Sequence, residues 1–172
     1  MKLMSSIFIL SMVAGLSACS EGPGGATNEG PGPVEVIRDH KVFSSDLAGK
    51  PADFSGHWNS ESCTVGAAGQ SFPCVLDFAI DQSDSVSVSG QLSVGGSAKL
   101  FYLPYLKISA NDLVDPLKGL APRGKIGQGA VVIDASAQYG KFVAKLLPDG
   151  KLAFLSVDPN GSTVDGIAKK GR

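Results

Sequence analysis

The residues best suited to nucleophilic, acid–base or metal chemistry are two histidines, His40 and His57, and three cysteines, Cys19, Cys63 and Cys74. Their surroundings assign them no catalytic role. A serine nucleophile needs a histidine base within hydrogen-bond reach. The chain has no Gly-x-Ser-x-Gly elbow, no His-Glu-x-x-His and no Walker loop. His40 lies in or near a Gly/Pro-rich stretch, and His57 alternates with Trp58, so it faces solvent if the tryptophan faces inward. No Cys-x-x-Cys occurs, and two histidines are too few for a metal centre. The three glycines of "GKIGQG", residues 124–129, lack the following helix whose N-terminus would cradle a phosphate, and read as a turn into the strand "AVVID". "DPNGSTVDG", residues 158–166, offers Asp158, Asn160 and Asp165 as oxygen ligands for calcium, but its order departs from the EF-hand. A Pro-Asn-Gly turn is the favoured reading there. We therefore expect a non-enzymatic protein with no cofactor.

Binding residues are easier to nominate. "KLFYLPYLKI", residues 99–108, clusters Phe101, Tyr102 and Tyr105 around Pro104. Tyrosines that present a ring and a hydroxyl at a surface suit partner or glycan contact. Tyr102 and Tyr105, with Trp58, are the candidate contact residues.

The elements that must position them read as strands. In "VSVSGQLSV", Val86, Val88, Gly90, Leu92 and Val94 share one parity and Ser87, Ser89, Gln91 and Ser93 the other, the pattern of a half-buried strand. "KFVAKLL" and "KLAFLSVD" flank Pro148-Asp149-Gly150 and predict a hairpin, closed off by Pro159-Asn160-Gly161. Further strands are expected at Phe54–Asn59, Val75–Ile80, Lys99–Leu103, Tyr105–Ser109 and Ala130–Ala135. Residues 109–121 could hold a helical turn, limited by Pro116. About eight short strands without crossover helices predict an all-β domain over 51–172. A small antiparallel β-barrel is preferred and a β-sandwich is the alternative.

Charge and composition narrow the partners. The chain has 172 residues, 15 Lys+Arg against 16 Asp+Glu, and no strong basic face, which argues against nucleic acid. The basic "KKGR" at the end reads as a solvated tail. "EGPGGATNEGPGPVEV", residues 21–36, is too poor in large apolar residues to offset ordering and reads as a tether. The tether is drawn over 19–50, although 37–50 could equally be a short helix or strand packed on the domain.

The N-terminus explains why a tether is needed. Met1-Lys2 is followed by an uncharged apolar run, Leu3 to Ala18, shorter than the ~20 residues that cross a bilayer. Leu16-Ser17-Ala18-Cys19 resembles the bacterial lipobox. The resemblance implies that 1–18 is a cleaved signal peptide and that Cys19 carries a diacylglyceryl thioether, with its new amine acylated, typically by palmitate. The protein would be held at a membrane by these chains. Ser20, in place of the aspartate that retains such proteins at the inner membrane, points to the outer membrane. With Cys19 acylated, Cys63 and Cys74 form an even pair in an oxidising compartment, where a disulfide is the default.

"DFSGHW", Asp53 to Trp58, is similar to the Gly-x-Trp start of the first strand in calycin-type barrels, which include lipocalins, avidins and small metalloprotease inhibitors. The likeness implies a barrel with the tryptophan packed across its closed end. The expected function is an anchored envelope lipoprotein whose β-domain binds a protein, a glycan or a small apolar ligand. The alternatives are an inhibitor of a hydrolase of protease or lysozyme type, and a structural envelope component.

Overall fold

The computed structural model describes residues 31–119, 122–136 and 139–171. The signal segment 1–18, Cys19 and the tether as far as residue 30 lie outside the described residues. Among the described residues there is no helix. The chain is all-β, as its alternating pattern predicts.

Among the described residues thirteen strands form. A hairpin of β1 (Glu35–Ile37) and β2 (His40–Val42) stands apart as its own two-stranded sheet. The other eleven share one antiparallel sheet. They are β3 (Gly56–Ala67), β4 (Gln70–Pro73), β5 (Val75–Gln82), β6 (Ser85–Val94), β7 (Ser97–Ser109) and β8 (Asp112–Val114). Then follow β9 (Pro122–Ile126), β10 (Ala130–Ser136), β11 (Gly140–Leu146), β12 (Leu152–Val157) and β13 (Thr163–Lys170). Nearly every neighbour in the sheet is also a neighbour in sequence, and β13 pairs back onto β3 to close the strands into a ring. This pairing satisfies backbone groups of β3 and β13 that would otherwise stand at the edges of an open sheet.

About eight strands were expected and eleven share the sheet. The predicted strands at 99–103 and 105–109 are one strand, β7. Between Val86–Leu106 and Val88–Leu103 the register slips, because β7 inserts one extra residue around Pro104. A bulge tolerates proline, which cannot donate to a ladder. Where a helical turn was possible after Ser109, the chain turns at Ala110–Asn111 into β8.

The ring interior is a continuous apolar core. Phe78 meets Phe142 and Phe154 edge-on, with ring centroids 5.9 and 5.4 Å apart. The inward parity of β6 holds, with Val86 and Val88 fully buried. Gly90 shares that face for a packing reason: a Cβ there would lie 2.6 Å from the Phe101 ring and 2.7 Å from Phe78 Cβ.

Residues 37–50, left open between tether and packed segment, wrap the outside of the ring, and residues 34–36, read as tether, run with them into β1. Ile37 and Val42 are fully buried against Ala130, Val143 and Ala153 on the outer faces of β10, β11 and β12. Three ion pairs fasten this strap: Arg38 with Asp165, Lys141 with Glu35, and Lys145 with Asp46. Arg38 also donates to Thr64 Oγ1 (2.6 Å). Thr64 and Asp165 are paired across the β3–β13 junction, so one guanidinium clasps the closure from outside. Two of the three glycines of 124–129, Gly127 and Gly129, serve this packing. A Cβ on Gly127 would lie 2.3 Å from the Leu47 backbone, so only glycine admits the strap there.

Candidate functional site

The two ends of the ring differ. One is sealed by the segment that leads into β3. Phe54 and Trp58 are buried, and the indole N–H of Trp58 donates to the Phe54 carbonyl (3.0 Å). Gln82 pins the segment from both sides, donating to the Ala52 carbonyl (2.7 Å) and accepting from the Phe54 N–H (2.8 Å). The Lys170 ammonium lies 5.7 Å from the centroid of the Trp58 ring, a cation–π cover over the plug. Burial removes Trp58 from direct contact with any partner.

The other end opens into a cavity of about 230 Å³. Val65 lies in its wall, seven residues along β3 from Trp58, a distance of ~23 Å at the rise of a strand. Leu76, Leu92, Phe101 and Val164 complete the apolar wall. These side chains belong to or pack on the interior cluster, so the cavity is the unfilled end of the core. Lys99, Ser156, Asp158 and Ser162 stand at its edge. Apolar walls with a few polar groups at the rim are the usual makeup of a small-molecule site. The volume is below the ~300 Å³ at which drug-sized ligands begin, so the cavity suits a small apolar group or one end of a longer molecule.

The Cys63–Cys74 disulfide joins the two arms of the hairpin that carries Val65, and the Cys74 N–H also donates to the Cys63 carbonyl (3.1 Å). The two-residue turn at its tip, Ala68-Gly69, has φ of 49° and 77°, the signs a tight hairpin requires. The covalent link therefore braces one wall of the mouth.

The remaining nominated residues lie elsewhere. Tyr102 and Tyr105 are both exposed on the outer face, on opposite parities in sequence but on the same side in space. The β7 bulge causes this, sending both Leu103 and Leu106 inward. Asp158 Oδ1 accepts from the backbone N–H groups of Asn160 (2.8 Å) and Ser162 (3.1 Å) and so caps the turn. Asp165 is held by Arg38. The two acids thus serve separate partners. Among the described residues no three His, Cys, Asp or Glu side chains gather as a metal site. His57 is exposed, as its alternation with Trp58 predicts.

The mouth was missed in the sequence because its five apolar wall residues come from five strands, each supplying one ordinary core-type side chain. No protein-family model, curated protein or solved structure matches this chain.

Proposed function

We propose that this chain is a lipid-anchored, non-enzymatic binding protein of the bacterial outer membrane, a small β-barrel whose open mouth takes a small apolar ligand. One observation carries the reading: the ring is plugged at the Trp58 end and unfilled at the Val65 end, where the walls are apolar and the rim polar. The lipobox-like Leu16-Ser17-Ala18-Cys19 supports the anchor. Two or more acyl chains on one residue suffice for stable attachment, since each buried methylene contributes ~0.8 kcal/mol. Acylation would leave the domain itself fully exposed to the aqueous phase.

The test is titration with N-phenyl-1-naphthylamine, a neutral dye that brightens in apolar surroundings. Saturable binding is expected. Filling the mouth with Leu92→Trp should abolish it, and Tyr105→Ala on the outer face should leave it intact. Equal binding by the wild type and Leu92→Trp overturns the mouth as the site. For the anchor, mass spectrometry of material from bacterial membranes should find an N-terminal acylated Cys19; an intact residue 1 refutes it.

A further inference from the structure

A broad concavity lies on the outer surface of the domain, a trough of about 530 Å³ across β3, β5, β6 and β7. The ladder registers define it. His57 pairs with Ala79, Ala79 with Ser89 and Ser89 with Tyr102, so these four form one row across the strands. Asn59, Asp77, Gln91 and Leu100 form the adjacent row by the same pairings. In the first row the small side chains of Ala79 and Ser89 make a floor between His57 and Tyr102. In the second, Asn59, Asp77 and Gln91 raise a polar wall along it. Three strand spacings give the trough a length of ~14 Å.

We propose that this trough binds a neutral oligosaccharide. Its chemistry disfavours other occupants. Asp77 is the one carboxylate of the lining and no lysine or arginine belongs to it, so phosphate and other anions are repelled. Across the trough floor β3, β5, β6 and β7 pair with one another, and the edge of β7 that β8 leaves uncovered before Lys107 faces away from β6, so a peptide seated in the trough lies on a sheet face and cannot extend the sheet there. Most of the lining is apolar, with Asn59, Asp77 and Gln91 along one side, so a wholly apolar ligand would strip water from three polar groups with no hydrogen bond in return. Sugar hydroxyls, which both donate and accept, match a carboxylate flanked by two amides, and the exposed Tyr102 ring offers the apolar face of a sugar a surface to stack on. The site is separate from the mouth, because Ser89 and Gln91 point away from the interior that Leu92 faces.

A glycan array carrying neutral and acidic oligosaccharides, followed by calorimetric titration of the best neutral binder, tests the assignment. Neutral glycans should be retained. Asp77→Ala should weaken binding by about tenfold, the scale of one lost charge-assisted hydrogen bond, and Tyr102→Ala by about fivefold to tenfold through the lost stacking face. Leu92→Trp in the mouth should have no effect. Unchanged thermal melting of the two trough variants shows that both still fold. Retention of acidic glycans in preference to neutral ones, retention of none, or affinity indifferent to both trough substitutions overturns the proposal.

Discussion

Gly166 sits where β13 meets β3, opposite Cys63 on one side and Phe154 on the other. A Cβ at this position would lie 1.9 Å from the Ser62 carbonyl oxygen and 2.8 Å from the tip of the Phe154 ring. The backbone of Gly166 is in an ordinary strand conformation, so Gly166→Ala introduces no left-handed strain and its effect is purely steric. The closer obstacle is main chain and cannot rotate away. Overpacking of this kind costs ~1–3 kcal/mol or more, and at ~2–4 °C per kcal/mol for a domain of this size the melting temperature should fall by ~2–12 °C. Two other glycines separate the possible causes. At Gly150, φ is +78° and nothing lies within 4 Å of an added Cβ, so Gly150→Ala reports conformational strain alone, ~1–2 kcal/mol. Gly32 has neither a positive φ nor a neighbour, and Gly32→Ala should melt like the wild type. Calorimetric melts of the three variants provide the comparison. Because the carbonyl lies nearer than the ring, adding Phe154→Leu to Gly166→Ala should not restore stability. An unshifted melt for Gly166→Ala, or rescue by Phe154→Leu, would refute this account of the closure.

Three further outcomes are expected. Replacing Cys63 and Cys74 together by alanine opens a loop with a sequence separation of 11, for which chain entropy gives ~3 kcal/mol of lost stability; urea unfolding measures it, and an unmoved midpoint contradicts it. Asp46 is pushed up by burial but held below its ordinary 3.8 by its hydrogen bond to Lys145, the Phe43 N–H and the Lys145 charge. Its contribution should therefore be complete above the ordinary carboxylate value and fade as acid drives the pH through the lowered one. Asp46→Ala should melt below the wild type at pH 7 and the gap should narrow at pH 3; a constant gap would exclude this linkage. Arg38→Lys keeps the charge but loses the fork that reaches Thr64 and Asp165 at once, so it should destabilise by ~1 kcal/mol, against no change if Arg38 acts as a point charge.

Strong local alternation made part of this architecture readable. The parity of Val86, Val88 and Leu92, the His57–Trp58 alternation and the Asp149-Gly150 turn all carry their structure in adjacent residues. The final strand did not, because its inward positions Val164, Gly166 and Ala168 are small so that Phe154 can fit opposite; size complementarity across strands erases the apolar signal of the thinner partner. Strands β8 and β9 are three and five residues long, too short for periodicity to register. The strap shows weak alternation because it buries only one face of three-residue strands. Both candidate binding surfaces exist only through register: the trough rows join residues up to 45 positions apart (His57 and Tyr102), and the bulge that turns both Tyr102 and Tyr105 outward is a property of a pairing.

The way the strands are strung together has a kinetic consequence. Almost all of the ladder zips between neighbours along the chain, and each such step closes a short loop at small entropic cost. The exception joins residues 58–66 to 163–170 and encloses nearly the whole domain. Until the last eight-residue strand is available, the assembly is an open, curled ribbon with two hungry margins and no way to satisfy them. A chain that emerges N-terminus first would thus complete this sheet only when residues 163–170 arrive, with Arg38 of the strap already placed to clasp the junction.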